Sequence, residues 1–389
     1  GFGMQNRVGE MLAVNNFQKA REFVSITYKY TFIIACCLFI LGWGASFFVD
    51  WNALFNSSIP ASELKTITAI AFIAFLVSFV AGNLQQVLNA ANKTSVPKLL
   101  GLITNACIIL LLVIVRRSGY NNLILAALAL ALPNPLIYLA ANYFFYRKEL
   151  RHLKPQWQWK NRESVRNVLG LGVKFFILQI TTLVIYQTDT IIVTQYLGPS
   201  EVTPYNLANR YFYFIYFIFS LAITPYWPAF TEAYVKNDFH WISKSLKRLI
   251  NACFIATAAT FLMFWVAFYF IPVWSRHSFN IYHYIPLLIT SACYVILMFF
   301  NSVLSTFLNA TSKLNIQLSV QVLLSLISIP TAILFIKKFG WGSAGVNGSI
   351  IIVQLVYLVI CGWYTRKHLR HKILEQQASF QSAHTNPIV

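Results

Sequence analysis

Acidic side chains are scarce in this chain: 11 Asp and Glu stand against 30 Lys and Arg in 389 residues. Charge of either sign is rare too, at 11% of residues, where soluble domains carry about 25%. That shortage excludes an ordinary soluble domain, because 58% hydrophobic residues cannot all be hidden in one core. Metal-binding spacing is absent. The six cysteines (Cys36, Cys37, Cys107, Cys253, Cys293, Cys361) all lie inside apolar runs, with no CxxC pair. The seven histidines form no HExxH motif. We therefore expect neither disulfide nor metal, and no cofactor.

What is present is a series of apolar runs long enough to cross a bilayer. We read ten spans: 25–49, 64–90, 97–115, 122–146, 169–196, 204–226, 246–272, 283–308, 315–336 and 343–364. Open sheets cannot cross lipid, so the fold class is an all-α polytopic membrane protein. The formal charge of +19 would suggest nucleic acid in a soluble protein. Here the basic residues cluster in alternate loops, which is the positive-inside pattern, and no nucleic-acid partner is expected. The loops around Arg7–Lys29, Lys93–Lys98, Arg147–Arg166, Lys236–Arg248, Lys313 and Arg366–Lys372 form the basic side. Only Lys65, Arg116, Arg117, Arg276, Lys337 and Lys338 fall on the other. Both termini of the chain are thus expected in the cytoplasm.

The phrase WPAFTEAYVKNDF (227–239) interrupts this apolar chain, and NRVGEMLAVNNF (6–17) echoes it at an offset of 222. LNAANK (88–93) meets LNATSK (308–313), and RKELRH (147–152) meets RKHLRH (366–371). Three ordered matches at nearly constant offset indicate an internal duplication. Six spans separate Glu10 from Glu232. An even number returns the chain to the same side, so the repeats are parallel. Two six-helix lobes are expected, the first lacking its first two helices, with those two helices expected upstream of Gly1. The domain reading is a four-helix N-terminal lobe (1–152), a basic cytoplasmic linker (153–168), a six-helix C-terminal lobe (169–372) and a disordered polar tail (373–389).

Three phrases carry a family likeness: GFGMQNRVGEMLA, the block LGLGVKFFILQITTLVIYQTDTIIVTQYLGPSEVTPYNLANRYF, and PYWPAFTEAYVKNDFHWI. They resemble the O-antigen and polysaccharide flippases of the multidrug/oligosaccharidyl-lipid/polysaccharide exporter superfamily. The resemblance implies two lobes around a central cavity. It also implies a substrate, an undecaprenyl-diphosphate-linked oligosaccharide moved across the bacterial inner membrane, and other polysaccharide-assembly proteins as partners.

Ionisable groups inside spans are expensive and stand as functional candidates. Lys174, Gln179, Thr181, Thr182, Tyr186 and Asp189 fall within an arc of about 160° on one helix. Asn206, Asn209, Arg210 and Tyr213 share a face of the next. The turn LGPSEVT joins the two helices, and Asp189 and Arg210 lie at similar depth, so they could pair. In the functional reading Arg210 or Lys174 meets the diphosphate, with Asn206 and Asn209 beside them. Asp189 then holds Arg210 or carries a coupling proton or sodium ion. In the structural reading Asp189 and Arg210 pin two helices together, and Lys174 snorkels to the interface. Glu10 and Glu232 occupy equivalent inner elbows, as gating residues or as helix-end residues. Pro133 and Pro135 mark a kink or hinge. An enzyme would need a catalytic acid or histidine on a substantial loop. The longest outer loop, 50–63, offers only Asp50 and Glu63, so catalysis is not expected. A drug or cation antiporter is the alternative transporter reading.

Overall fold

The structure is a computed structural model that describes residues 1–52, 59–117, 123–156, 162–275 and 281–385. Arg276, and residues 157–161 of the basic loop Arg147–Arg166, lie outside the described residues. The assigned elements among the described residues are helical. They are α1 (Phe2–Ala13), α2 (Phe17–Ala45), α3 (Ala61–Ala81), α4 (Asn83–Ala90), α5 (Ser95–Arg117), α6 (Leu123–Ala131) and α7 (Pro133–Arg147). Then follow α8 (Arg162–Leu197), α9 (Val202–Ile223), α10 (Tyr226–Val235), α11 (Phe239–Trp274), α12 (Ile285–Ala310), α13 (Leu314–Lys337) and α14 (Gly342–Thr385). Short 3-10 turns occupy Arg151–Leu153 and Pro199–Glu201.

Ten helical segments are long and apolar enough to cross a membrane, in the positions read from the hydropathy. Their apolar side chains face outward as well as inward. On α5, Leu102, Ile109 and Leu110 are each more than 60% exposed. Only 6% of that span's apolar window is buried. Water would not tolerate such a surface and a hydrocarbon layer would, so this is a multi-pass membrane protein.

The helices outrun the apolar spans at their basic ends. α2 starts at Phe17 because the Asn16 side chain accepts from the Lys19 amide at 3.1 Å. α11 starts at Phe239 because Asp238 does the same for Trp241 at 2.9 Å. Capping, not hydropathy, sets those ends. Helical backbone also runs from Arg162 through the end of the segment read as a linker, and from residue 373 to Thr385 through the segment read as a disordered tail. Pro133 and Pro225 stand where one helix stops and another begins: Pro133 opens α7, and Pro225 caps α10.

The chain divides into two compact units, Gly1–Gly172 and Val173–Val389, the division falling within α8. The core of unit 1 gathers Met4, Val8, Phe23, Leu84, Leu88 and Leu153. That of unit 2 gathers Phe212, Phe230, Ile242, Phe299, Phe307 and Leu308.

Local geometry repeats at the offsets seen in the sequence. Asn15 (φ 58) and Asn237 (φ 57) are both left-handed, and so are Asn92 (φ 60) and Ser312 (φ 57). Such values are uncommon outside glycine. The N-caps Asn16 and Asp238 follow the first pair. Tyr138 donates to Gln85 in unit 1 at 3.3 Å, and the matching Tyr357 and Ser305 hydrogen-bond in unit 2 at 2.7 Å.

Candidate functional site: a buried carboxylate network in unit 2

α8 ends at Leu197, and Gly198 (φ 97) allows the tight return into α9. The turn brings the two helices side by side, with Asp189 on one facing Tyr205 on the other. Asp189 is 8% exposed and Tyr205 3%. The Tyr205 hydroxyl donates to the Asp189 carboxylate, and Asn209 hydrogen-bonds that hydroxyl in turn. Tyr205 and Asn209 are one turn apart on α9, so they share its inner face.

The chain of hydrogen bonds continues into α12 and α14. Asn209 Oδ1 accepts from Ser291 Oγ at 2.8 Å and from Asn347 Nδ2 at 3.0 Å. Asn347 Nδ2 also donates to Ser291 Oγ at 2.9 Å. Ser291 and Asn347 are fully buried. One carboxylate is thus wired through Tyr205 and Asn209 to two more helices. A buried charge needs such partners, and the set offers oxygen donors suited to a hard monovalent cation or a proton.

The expected pairing of Asp189 with Arg210 does not form. Arg210 is exposed, and no Asp189–Arg210 ion pair exists among the described residues. At about 100° per residue, Arg210 points some 140° away from Tyr205. Equal depth along two helices brought the pair together in the sequence reading. Azimuth separates them. Asn206 is half-buried and one step off the face of the network.

 

Lys174 lies on the same helix as Asp189, fifteen residues earlier, about four helical turns nearer the basic end. Its Nζ donates to Asn315 Oδ1 on α13 at 2.7 Å. Higher on the same two helices, Gln321 Nε2 donates to Thr182 Oγ1 at 2.7 Å. Of the remaining polar arc, Thr181 is buried and bonds its own helix backbone, while Gln179 is exposed. The Tyr186 side chain lies outside the described residues.

Glu10 and Glu232 each meet a base close to them in sequence. Arg7 bonds Glu10 at 2.7 Å, and Lys236 bonds Glu232 at 2.6 Å. The partners precede one glutamate and follow the other, so positional equivalence does not extend to the ion pairs. At the end of unit 2 nearest the α8–α9 turn, Tyr284 donates to Glu201 Oε1 at 2.8 Å. Burial, then that carboxylate, pushes the Tyr284 hydroxyl up to about 12, so it stays a donor at neutral pH.

Sequence reasoning missed Tyr205, Ser291 and Asn347. Tyr205 and Asn209 carried a signal in their one-turn spacing. Ser291 and Asn347 are single small polar residues in apolar runs, and only the contact of α9, α12 and α14 gives them a role.

Known proteins set this arrangement in context. A family profile described as polysaccharide biosynthesis protein matches residues 11–234. A Yersinia pseudotuberculosis protein provisionally named for O-antigen export is 23% identical over 234 residues, which is 58% of this chain and 52% of that protein. A Salmonella typhimurium protein provisionally named an O-antigen transporter is 25% identical over 79 residues, 20% of this chain and 18% of its own. The chain matches about half the length of the first of these relatives and less of the second. Among solved structures, an outward-facing multidrug resistance MATE family transporter of the MOP superfamily superposes with a TM-score of 0.76 at 15% identity, covering 96% of this chain and 83% of its own. A MOP superfamily transporter from Pyrococcus furiosus gives 0.70 at 15% identity, covering 96% and 84%. The helical arrangement is therefore that of the MATE-type fold. With more than half of its residues matched by the family profile, the chain belongs to the polysaccharide biosynthesis protein family.

Proposed function

We infer that the chain is a membrane transporter, not an enzyme, and that it flips an undecaprenyl-diphosphate-linked oligosaccharide from the cytoplasmic to the periplasmic face of the bacterial inner membrane by alternating access. The family match over residues 11–234 carries this reading. The named roles of the relatives in O-antigen export support it. Both termini of the chain lie in the cytoplasm in this reading, as the distribution of basic residues requires.

Lys174 and Arg210 are the groups for the diphosphate. Lys174 is half-buried and steered by a neutral amide, so its charge is not cancelled. Arg210 is exposed within a span, where a guanidinium requires polar surroundings. Asn206 and Asn209 border Arg210 on α9. Asp189, freed from Arg210, is the group for a coupling proton or sodium ion. Glu10 and Glu232 act at the basic ends as gating residues. An anion moving outward gains about 2.3 kcal/mol per charge per 100 mV of membrane potential.

The second reading, a drug or cation antiporter, draws on the buried Asp189 network, whose oxygens suit a cation or a proton. One experiment separates the two. The chain is expressed in a bacterium lacking its own surface-polysaccharide flippase, and lipid-linked sugar is measured on each membrane face. Sugar should reach the outer face, fall sharply with Arg210→Ala, and partly return with Arg210→Lys. Full transfer by the alanine variant removes Arg210 from the mechanism. Cation efflux without sugar transfer favours the antiporter.

A further inference from the structure

The interface between α12 and α14 in unit 2 holds more polar atoms than helix contact requires. The two helices run in the same direction, and facing pairs recur along them: Ser291 with Asn347, Asn301 with Gln354, and Ser305 with Tyr357. On α14 the polar positions 347, 354, 357, 361, 365 and 368 follow steps of seven, three, four, four and three. That is a single helix face.

The stripe begins at the basic end with His368, whose Nε2 lies 3.1 Å from the Tyr234 hydroxyl. One turn further in, Thr365 is 4% exposed, and its Oγ1 is buried without a hydrogen-bond partner. Next comes Cys361, fully buried, its thiol hydrogen-bonded to Tyr357. Tyr357 meets Ser305 at 2.7 Å. Above them Asn301, 6% exposed, donates through Nδ2 to Gln354, while its own Oδ1 is buried without a partner. Two orphaned oxygens on one buried stripe are costly if dry. Buried water with two to four polar neighbours is the usual remedy. Beyond Asn301 the stripe turns apolar. Val295, Met298 and Ile350, all buried in one cluster, separate it from Ser291, Asn347 and the Asp189 network.

We propose that the α12–α14 interface is a water-lined proton path, open from His368 as far as Asn301 and Gln354 and closed from Asp189 by the Val295–Met298–Ile350 layer. This rests on the reading of Asp189 as the coupling group and names how a proton reaches or leaves it. Along the path each oxygen takes a proton on one side and releases one on the other. No group on it keeps a charge, and the net change is one proton moved between the basic end and the Asp189 carboxylate. Met298, with three rotatable side-chain bonds, is the movable part of the plug.

The protein carries its own probes. Cys361 and Cys253 are both fully buried, but Cys253 lies on α11, off the stripe. The 389-residue chain in lipid vesicles is moved into D2O, and the S–H bands are followed by infrared spectroscopy, assigned by difference with Cys361→Ala and Cys253→Ala. Cys361 should exchange roughly tenfold or more faster than Cys253, because water reaches the stripe and not the α11 thiol. Thr365→Val, which keeps shape and removes the hydroxyl, should slow Cys361 towards the Cys253 rate. Met298→Ser should speed deuteration of the Asp189 carboxyl, assigned by difference with Asp189→Asn. Exchange of Cys361 at the Cys253 rate overturns the path, even where Asp189→Asn uncouples sugar transfer from an imposed pH gradient. Fast Cys361 exchange with transfer unaffected by Asp189→Asn keeps the path and sinks the coupling role of Asp189.

Discussion

The two units solve the same local problem with different residues. In unit 1 Asn142 and Tyr146, which match stripe positions of unit 2, join Tyr28 and a main-chain carbonyl in a connected set of hydrogen bonds. Tyr28 donates to Asn142 Oδ1 at 2.7 Å, and Tyr146 donates to Tyr28 at 3.2 Å. Asn142 Nδ2 then donates to the Ala81 carbonyl at 2.9 Å, where α3 gives way to α4. In unit 2 the residue matching Asn142 is Cys361, the one matching Tyr146 is Thr365, and the one matching Ala81 is Asn301, by the offsets of 219 and 220. Tyr146 gives way to the smaller Thr365 and Ala81 to Asn301, and the Thr365 and Asn301 oxygens are left without partners. One scaffold therefore supports a sealed interface in unit 1 and a wettable one in unit 2. Duplication preserves backbone geometry, while side-chain volume and hydrogen-bond balance diverge.

The largest expected effect breaks the sealed interface. Asn142→Leu leaves the Tyr28 hydroxyl and the Ala81 carbonyl to find new partners. Each such orphan costs about 1–3 kcal/mol, so thermal unfolding of the purified chain should shift by several degrees. Cys361→Ser, at the matching place, should change stability by less than about 1 kcal/mol, because a hydroxyl on a hydrated stripe finds partners. Equal losses in the two units would erase the distinction.

Next are the left-handed asparagines. Asn15→Ala and Asn237→Ala should each cost about 1–2 kcal/mol, and glycine at either place should cost little. Here the units should respond alike, and a response confined to one would show that the elbows are not equivalent.

A smaller contrast lies at the basic ends. Lys93 pairs with Glu149 in unit 1, while in unit 2 the matching Lys313 has His368 within electrostatic range. Glu149→His should lose, and His368→Glu should gain, about 0.2–1 kcal/mol in low salt, both effects fading as salt is added. Chemical denaturation at two ionic strengths reads both.

The smallest is a latch found in unit 2. Tyr284 bonds Glu201, whereas the matching position in unit 1 is Leu64. The folded-state pKa of Tyr284 is raised from 10.0 to about 12. Its contribution is therefore complete below pH 10 and lost as pH rises through 12. An alkaline absorbance titration compared with Tyr284→Phe should reveal one late-titrating tyrosine.

Much of the fold was legible because its causes are local. Apolar runs long enough to span lipid must be helices, and basic loops must alternate, whatever those helices later touch. The repeat was legible because left-handed turns and caps demand particular residues, hence Asn15 and Asn237 before Asn16 and Asp238. The site was legible only in part. Asp189 and Lys174 stood out as charges in apolar runs. The partner of Asp189 did not, because depth along a helix can be counted from a turn while azimuth against a neighbour depends on how the helices roll. Ser291, Asn301, Asn347 and Gln354 gave little signal, since a single neutral polar residue in a span is ordinary.

The sequence by itself determined the membrane class, the ten membrane-long segments found among the described residues, the duplicated elbows and the excess of positive charge on one set of loops. Each follows from hydrophobic length, capping chemistry or charge distribution along the chain. Tertiary structure alone decided that Asp189 meets Tyr205 instead of Arg210, and that Asn301 and Thr365 are buried with oxygens unpaired. Those outcomes depend on which faces of α8, α9, α12 and α14 meet, and close contact between helices is a property of three dimensions that spacing along one helix does not contain.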